Sequence, residues 1–528
     1  SSQDLRDRIS YTTSVDTNAE PRSGGATLYV TTHSSPGNHS SRYEDGRFRF
    51  ARGATATVVL AVALSLLLAG SALADTGVDR ISLKPNRTQG LNNGMVWPDA
   101  MANGNRVVFQ SNAQLTPNDQ NNKADVYLVA RYGSIYLIST SYTGLSASHP
   151  CTNPRISGNG QSIVFTSMSY NLDPYMQGYP SSPQVYLWNN WPIRLVSHKN
   201  GDSSRACNGG CTVSDISGDG RYVVFDSTAS DLVANDTNGS ADVFVYDATT
   251  GLVTRVSVAS DGTQGNQMSA FGGISSDGTY VAFQSYATNL VANDTNNKID
   301  IFVHCLSSGE TTRVSVDSGE AQANHNSLTP SISSDGRYVA FASYASNLVT
   351  GDTNSIPDIF VRDCVAGTTE RVSLTEQGGQ ITGLSCLNQN PSITGDGTKV
   401  AFESNSLNVV ADKENGYVYD VYVRDRAAQT TERVNVSFGE DEANSHSGGS
   451  VISSGGDYVT FHSYATNLVP DDTNGQADVF ITGVWQWGYQ FLGPYPQHTY
   501  DTPEGDDVDP LNVYFAGTAD DGYWGSAE

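Results

Sequence analysis

Acidic and amide side chains recur in this chain at a spacing that provides oxygen ligands for a cation. Calcium takes about six to eight oxygen ligands, which Asp, Asn and backbone carbonyls can supply. Asp and Asn also accept hydrogen bonds from nearby backbone amides, so the same residues can hold a loop in shape without a metal. Both interpretations stay open, with calcium as the only cofactor that the sequence suggests. The pattern Asp-x-Asn-x-x-x-Asp comprises Asp119, Asn121 and Asp125; Asp236, Asn238 and Asp242; Asp294, Asn296 and Asp300; Asp352, Asn354 and Asp358; and Asp472, Asn474 and Asp478.

Two further loops depart from this pattern. One loses it, with Gln184 where the last Asp would stand, and the other varies it as Asp412, Glu414 and Asp420. A metal ligand set is therefore not predicted in all copies.

Residues suited to acid–base catalysis are few. His149 and His325 occupy equivalent positions, each seven residues before an Ile, and we expect them near the mouth of a channel. Isolated loop histidines usually serve as surface polar groups. The sequence has no nucleophile-elbow, zinc-helix or phosphate-loop motif. No catalytic residue is predicted.

An arginine recurs near the end of each copy of a longer repeat. It is replaced by Leu137 and Leu195 in two copies. We expect each arginine to form an ion pair with an Asp on a neighbouring strand, such as Asp363 or Asp425. The recurring arginines are Arg80, Arg255, Arg313, Arg371 and Arg433.

The elements that position these residues come from a repeat of about sixty residues. A Phe stands five positions after each repeated Gly, and a Ser two positions further on. In one copy, β-rich runs at Ile332, 337–343, 358–363 and 371–374 lie between turn residues, which predicts four short antiparallel strands. The repeated glycines are Gly104, Gly160, Gly220, Gly278, Gly336, Gly397 and Gly456.

The seventh copy lacks a fourth strand, and a matching segment lies at the other end of the chain. That segment is Arg-Ile-Ser-Leu at 80–83. Donating it to the last copy would join both ends and remove an exposed sheet edge. We therefore predict an all-β chain, a seven-bladed β-propeller of four-stranded antiparallel blades over 76–482, closed by an N-terminal strand at 79–83. The alternatives are two separate domains or an open solenoid.

The repeat resembles a known family. Ser-Asp-Gly-x-x-Val-Ala-Phe-x-Ser at 334–343 and Asp-Ile-Phe-Val-x-Asp at 358–363 are similar to the WD40-like repeat of the TolB C-terminal domain, called PD40. The resemblance covers all seven copies and implies a propeller. Members of this family differ in function, so the resemblance implies no particular chemistry. The inserted Ala-x-Asn-Leu-Val-x-x-Asp-Thr-Asn segment departs from the family pattern.

The two ends of the chain have compositions of their own. Residues 1–53 are polar and expected to be disordered. Arginines precede an apolar stretch at 54–74 that ends in Ala-Leu-Ala, which predicts a signal peptide cleaved after Ala74, or an uncleaved anchor as the alternative. Residues 483–528 begin with aromatic and continue with acidic residues, and form either a packed tail or a docking tail.

Charge and cysteine content restrict partners and location. The chain has 29 Lys and Arg against 55 Asp and Glu, a net charge of −26, which disfavours nucleic acid and anionic membranes as partners. No membrane span is expected in the mature chain. An even number of cysteines in an exported chain suggests disulfides, with Cys207–Cys211 and Cys364–Cys386 as candidates and unpaired thiols as the alternative.

Together these features predict an exported, non-catalytic propeller, secreted or periplasmic, that binds a protein, a glycan or a cell surface, or assembles with itself. One alternative is a polysaccharide lyase or glycoside hydrolase with its site at the channel mouth. Another is a TolB-like periplasmic partner protein.

Overall fold

A computed structural model describes residues 78–84, 97–130, 134–189, 192–383, 387–437 and 439–484. The expected leader at 1–53, the signal peptide at 54–74, the tail from 485 onward and Cys386 lie outside the described residues. Within them the chain forms strands and loops, and no helix occurs.

The strands alternate between buried apolar runs and short outer segments. In chain order they are β1 (Asp79–Arg80), β2 (Asp99–Ala100), β3 (Arg106–Ser111), β4 (Asp125–Ala130), β5 (Ile135–Leu137), β6 (Cys151–Ile156), β7 (Ile163–Ser167), β8 (Gln184–Trp188), β9 (Arg194–Leu195), β10 (His198–Lys199), β11 (Asp202–Ala206), β12 (Cys211–Ile216), β13 (Tyr222–Ser227), β14 (Asp242–Asp247), β15 (Leu252–Arg255), β16 (Ser269–Ile274), β17 (Tyr280–Ser285), β18 (Asp300–Cys305), β19 (Thr311–Arg313), β20 (Ser327–Ile332), β21 (Tyr338–Ser343), β22 (Asp358–Asp363), β23 (Thr368–Arg371), β24 (Asn388–Ile393), β25 (Lys399–Ser404), β26 (Asp420–Asp425), β27 (Thr430–Arg433), β28 (Ser447–Ile452), β29 (Tyr458–Ser463) and β30 (Asp478–Gly483).

These strands form seven four-stranded antiparallel sheets, the blades. Blades 1 to 6 are β2–β5, β6–β9, β12–β15, β16–β19, β20–β23 and β24–β27, and blade 7 orders as β28-β29-β30-β1. We call the four strands of a blade a, b, c and d from the first to the last. The predicted seven-bladed fold is confirmed.

The N-terminal strand completes the last blade. Asp79 pairs with Ile481 and Arg80 with Phe480, and the Ile81 amide donates to the Val479 carbonyl at 2.8 Å. The predicted closure by this strand is confirmed, and it covers the edge of β30 that would otherwise be exposed.

Backbone hydrogen bonds between the a–b turns link each blade to the next. The last bond runs from the Gly455 amide of blade 7 to the Ala102 carbonyl of blade 1, at 3.0 Å. The ring is therefore continuous, which excludes the open solenoid and the two-domain alternatives for the described blades. The other bonds run from Ala102 to Gly158, Asn159 to Gly218, Gly218 to Ser276, Asp277 to Ser334, Ser334 to Gly395 and Gly395 to Ser454.

The repeated Phe and Gly have direct structural causes. Phe283 on strand b stacks on Phe302 of strand c, with ring centroids 5.9 Å apart, and an aromatic pair of this kind occurs in all seven blades. Gly336 has φ +74°, and a Cβ there would lie 2.2 Å from the Tyr280 ring of the preceding blade. Only glycine fits both this backbone conformation and this contact.

One local prediction was wrong, and one element was not predicted. Strand d of blade 5 is β23, Thr368–Arg371, rather than 371–374. The Val372 amide still donates to the Ile359 carbonyl of strand c at 2.8 Å, and Leu374 then pairs with Gln380 in the d–a connection. The two-stranded sheet β10–β11 was not predicted; it lies in the connection between blades 2 and 3.

Candidate functional site

One end of the propeller gathers the residues with chemical potential. Since the strands of each blade are antiparallel, the b–c and d–a connections lie at the same end. We call this end the loop face, and the end with the a–b and c–d turns the turn face. All the repeated Asp-x-Asn-x-x-x-Asp segments lie on b–c connections, on the loop face.

The strand-d arginine lies between the two aspartates of its own blade. In blade 4, Arg313 Nη1 is 3.4 Å from Asp294 Oδ1 and 3.7 Å from Asp300 Oδ2. All three side chains are largely buried. The guanidinium therefore occupies the place between the carboxylates that a metal ion would need. The same triangle occurs in blades 3, 5 and 7, as Arg255 with Asp236 and Asp242, Arg371 with Asp352 and Asp358, and Arg80 with Asp472 and Asp478.

The partner of this arginine differs from the one expected. Arg371 pairs across the strands with Phe360, so it lies close to Asp358 at the start of β22 and not to Asp363 at its end. Asp363 instead receives the Arg337 guanidinium at 2.8 Å, and in blade 6 Asp425 accepts backbone amides of the following turn. An ion pair was rightly expected for Arg371, but Asp363 and Asp425 were the wrong partners because the register places them at the opposite end of the strand.

The asparagine of the motif ties the b–c loop to the d–a loop. In blade 4, Asn296 Nδ2 donates to Asp300 at 2.8 Å and to the Ala323 carbonyl at 3.0 Å, and its Oδ1 accepts the Lys298 amide at 2.9 Å. Asp300 also accepts a hydrogen bond from Ser315 Oγ. These contacts belong to the loop-structuring interpretation.

Blade 6 builds the same centre from different residues. Arg433 contacts Asp412 at 3.1 Å and Glu442 at 2.8 Å, and the buried Lys413 forms an ion pair with Asp420. Asn415 takes the place of the motif asparagine, donating to Asp420 and to the Ala443 carbonyl. Glu414 does not take that place, because this loop contains one additional residue and the spacing of the motif is shifted.

Blades 1 and 2 have leucine in place of the arginine. In blade 2, Gln184 replaces the second carboxylate, and Asp173 accepts the Leu195 amide at 2.8 Å. In blade 1 both carboxylates are retained: Asp119 accepts the Tyr127 hydroxyl, and Asp125 Oδ1 accepts Ser139 Oγ at 2.5 Å.

Burial controls the titration of these carboxyl groups. It raises the pKa of Asp300 to about 6, although hydrogen bonds from Ser315 and Asn296 and the charge of Arg313 act in the opposite direction. Burial raises the pKa of Asp125 further, to about 7, because Asp119 adds negative charge beside it. Among the described residues, no group of three or more His, Cys, Asp and Glu side chains is arranged to hold a metal.

The two candidate histidines lie in separate blades and contact neighbours within them. His149 in blade 2 packs against Tyr170, with ring centroids 6.2 Å apart. His325 in blade 5 lies 5.6 Å from the Tyr344 ring and accepts the Asn326 amide at 2.9 Å. Each histidine thus belongs to a loop-face aromatic cluster of its own.

Cys207 and Cys211 are neighbours, with their sulfur atoms 2.8 Å apart. Both are buried free thiols in this structure. The hydrogen bond from Cys211 lowers the pKa of Cys207, and burial raises that of Cys211. The disulfide stays a prediction. The Cys364–Cys386 pair cannot be placed, as Cys386 lies outside the described residues.

A charged cluster on strand a was missed by the sequence analysis. Burial raises the pKa of Asp99 and that of Asp215, the latter to about 6, although the positive charge of Arg155 lowers both. Each aspartate accepts the backbone amide of an Ile in the next blade at 2.8 Å, Ile156 and Ile274 respectively. The only sequence signal was a polar residue directly before the strand-a Ile or Ala, and its role here is to tie blades together.

Exposed apolar side chains concentrate on the loop face. Most exposed large hydrophobic residues lie on b–c or d–a connections, whereas the turn face carries Leu252 at its edge and Val365. The loop-face residues are Tyr142, Leu145, Tyr170, Tyr175, Tyr179, Met268, Tyr286, Tyr344, Leu407, Tyr417 and Tyr464. Aromatic side chains on one surface are typical of partner-binding sites.

A groove of about 430 Å³ lies beside this cluster in blades 2 and 3. Its lining includes Tyr179, Arg205, Cys207 and Asn208. The groove is therefore formed partly by the hairpin β10–β11, which the sequence did not predict. None of the described residues forms a helix long and apolar enough to cross a membrane.

With the fold and the loop face defined, the chain can be placed in a class: it is a seven-bladed β-propeller. No family model matches the chain, and no curated protein does. Among solved structures it is similar to an oligogalacturonate lyase from Vibrio parahaemolyticus, at 12% identity over 78% of this chain and 97% of that one, with a TM-score of 0.45.

Two more similarities concern proteins of other kinds. TolB from Acinetobacter baumannii is 16% identical over 58% of each chain, with a TM-score of 0.34. A puromycin-hydrolysing peptidase from Mycobacterium tuberculosis is 11% identical over 77% of this chain and 56% of that one, with a TM-score of 0.43. At these values the similarities carry no argument about activity, and the fold assignment rests on the strand pairing of the chain itself.

Proposed function

We propose that this chain is an exported, non-catalytic recognition module that binds a protein or glycan through its loop face. The observation that carries the proposal is the unequal distribution of exposed side chains among the described residues. Exposed tyrosines project from several blades on the loop face, whereas Tyr136 is exposed on an outer strand and tyrosines at the a–b turns, such as Tyr222, are half-buried. Tyrosine offers a large, rigid contact area with a polar end, at low cost in conformational entropy.

The polar residues around these tyrosines support the same function. On the loop face, Asn324 Nδ2 donates to Ser346 Oγ at 3.0 Å, and its backbone amide donates to Asn347. The equivalent network recurs in blades 4 and 7 through Asn266 and Asn444. A surface of Tyr, Asn and Ser resembles in composition the loops with which antibodies bind their antigens.

Export is supported by the sequence alone. The predicted signal peptide precedes the propeller, and the net charge of −26 suits a soluble exported protein. The same charge disfavours nucleic acid as the partner.

The enzyme alternative requires that histidines and a carboxylate meet in one pocket. His149 and His325 lie three blades apart and each contacts its own blade. No observation on the described residues favours a lyase or hydrolase over a recognition module.

The test is a binding comparison between the two faces. The triple variant Tyr286→Ser, Tyr344→Ser, Tyr464→Ser should lose at least about tenfold in affinity on a glycan array or for a captured extracellular protein, because exposed tyrosines often dominate interface energetics. The matched control, Leu252→Ser with Val365→Ser, changes exposed apolar residues away from the loop face and should bind as wild type. Equal losses in both variants, or wild-type binding by the triple variant, would contradict the proposal.

Self-association is measured on the same variants by sedimentation velocity. If the wild type assembles, the triple variant should be monomeric and the control should not. Assembly that persists in the triple variant would place the interface elsewhere.

A further inference from the structure

The loop-face centres of the seven blades differ in charge balance. In blades 3, 4, 5 and 7 one arginine faces two carboxylates. In blade 6, Arg433 and Lys413 face three carboxylates. Blade 2 has Gln184 instead of a second carboxylate. Each of these centres therefore has one negative charge in excess.

Blade 1 breaks this rule. It keeps both carboxylates, Asp119 and Asp125, but has Leu137 in place of the arginine. Lys123, the nearest cation along the loop, donates to the Ser148 carbonyl, and among the described residues no Lys or Arg forms an ion pair with either aspartate. The centre of blade 1 thus has two carboxyl groups and lacks the cation that the other blades with two carboxylates contain.

Asp125 lies close to the Asn121 and Asp119 side chains, but one of its oxygens accepts no hydrogen bond at ordinary distance. Asp125 is fully buried, and its Oδ2 has no hydrogen-bond partner. In blade 4 the corresponding oxygen of Asp300 accepts Asn296 Nδ2 at 2.8 Å and lies 3.7 Å from Arg313. A buried carboxylate without compensation is costly, which points to a missing ligand of positive charge.

The second carboxylate lies in the same buried loop. Asp119 is 1% exposed, and in blade 4 the equivalent Asp294 and Asp300 lie 3.4 and 3.7 Å from one guanidinium nitrogen. Thr116 Oγ1, in the same loop, is also buried without a hydrogen-bond partner. Either a bound cation with oxygen ligands or a proton shared by the two aspartates would complete this site.

We propose that Asp119 and Asp125 bind a single hard cation of the calcium class at the position that the arginine guanidinium takes in blades 3, 4, 5 and 7. Carboxylates and uncharged oxygens are the preferred ligands of such ions. Leu137 and Ser146 in blade 1 stand where blade 4 has Arg313 and Gln322, and both are shorter; the Tyr127 hydroxyl, which Phe302 lacks, contacts Asp119. The inference is independent of the proposed function, since it concerns one blade centre and not the exposed tyrosines.

The experiment measures calcium binding by the chain that has been stripped with a chelator and dialysed. Isothermal titration should give one calcium ion per chain. The melting temperature should rise by about 3–6 °C when calcium exceeds its Kd by about a hundredfold. Magnesium and sodium serve as the comparison ions, and calcium should give the largest shift because Mg²⁺ dehydrates reluctantly.

Variants copied from the other blades make the test specific. Asp125→Asn removes one ligand with little change of shape, and Tyr127→Phe with Leu137→Arg grafts the Phe302 and Arg313 pair of blade 4 into blade 1. Both variants should lose the calcium ion and the calcium-dependent shift. Asp294→Asn, which removes one carboxylate from the centre of blade 4, should retain both.

Three results would overturn the proposal. The first is a wild type that binds no calcium and shows only a proton-dependent change in melting temperature, which would mean that the two aspartates share a proton. Asp294→Asn could lose the ion, which would place it in blade 4. Retention of the ion by Asp125→Asn would contradict the assigned ligands even if the graft does not fold.

Discussion

Blades 1 and 4 share a sequence pattern and a backbone, yet their loop-face centres are chemically different. Blade 4 places Arg313 between Asp294 and Asp300, whereas blade 1 places Leu137 beside the equivalent carboxylates Asp119 and Asp125. The difference shows that the Asp-x-Asn-x-x-x-Asp motif does not define a metal site by itself. What decides its role is a residue on strand d, more than ten positions further along the chain.

The largest effect is expected where the arginine of a complete centre also lies on the closing strand. Arg80→Leu leaves Asp472 and Asp478 buried without their cation and weakens β1, which pairs through only two residues. We expect a loss of more than about 3–5 kcal/mol in unfolding free energy, the range for breaking a buried pair from one side. Chemical denaturation followed by tryptophan fluorescence measures it.

The control for Arg80→Leu is Arg205→Leu, whose partner Asp202 is exposed on the hairpin of blade 2. That variant should melt as wild type, because exposed ion pairs contribute little. A small effect of Arg80→Leu would show that ring closure does not depend on this strand.

The same arginine-to-leucine change should have a smaller effect in a blade whose four strands are consecutive in the chain. Arg313→Leu in blade 4 should lower the unfolding free energy by about 3–5 kcal/mol, because it converts that centre into an uncompensated version of blade 1. Adding Asp294→Asn and Asp300→Asn should recover most of the loss by removing the uncompensated charge. If the triple variant is no more stable than Arg313→Leu alone, charge balance is not what the arginine supplies.

The serine two residues after strand d allows the centres of blades 1 and 4 to be compared directly. Ser315 Oγ donates to Asp300 and accepts the Ile301 amide, and Ser139 does the same for Asp125 and Val126. Replacing either serine by alanine should cost about 1–3 kcal/mol, as expected when a buried acceptor loses its donor.

Measured in chelator, Ser139→Ala should be the more damaging of the two changes, since Asp125 has fewer other partners than Asp300. Equal losses would indicate that Asp125 is compensated by contacts that the motif does not reveal.

The smallest expected effect is a difference in the pH dependence of stability between the aspartates at the two ends of β22. Burial raises the pKa of Asp358 from 3.8 to about 6, so its folded form binds more protons than the unfolded chain between these values. Its contribution to stability is therefore present below about pH 4 and is lost as the pH rises to 6. Asp358→Asn should flatten the pH dependence of the melting temperature in that window.

Asp363, at the other end of β22, should behave in the opposite way. The hydrogen bonds from Arg337 lower its pKa from 3.8 to about 2, so its contribution is present above pH 4 and is lost as the pH falls toward 2. Asp363→Asn should leave the melting curve between pH 4 and 6 unchanged. If Asp363→Asn also flattened the pH dependence of the melting temperature between pH 4 and 6, the assignment of that dependence to Asp358 would be wrong.

The amino-acid sequence alone determined the architecture of this protein. The period of the turn glycines, the Phe of strand b and the matching segment at 80–83 predicted seven blades and their closure, since each records a local demand repeated along the chain. The sequence also predicted an ion pair for the strand-d arginine. It did not identify the partner aspartate, because the register of two strands decides which residues face each other, and a slip of a few positions leaves the pattern unchanged.

Only the tertiary structure decided which loop centres are complete. Whether a carboxylate is buried, and whether a guanidinium reaches it, depends on residues far apart in the chain, such as Arg80 and Asp478 in blade 7. The unpartnered oxygen of Asp125 and the interblade bonds of Asp99 and Asp215 arise in the same way. The sequence shows that a residue is repeated, but the free energy of a charge depends on its surroundings, which exist only in the folded protein.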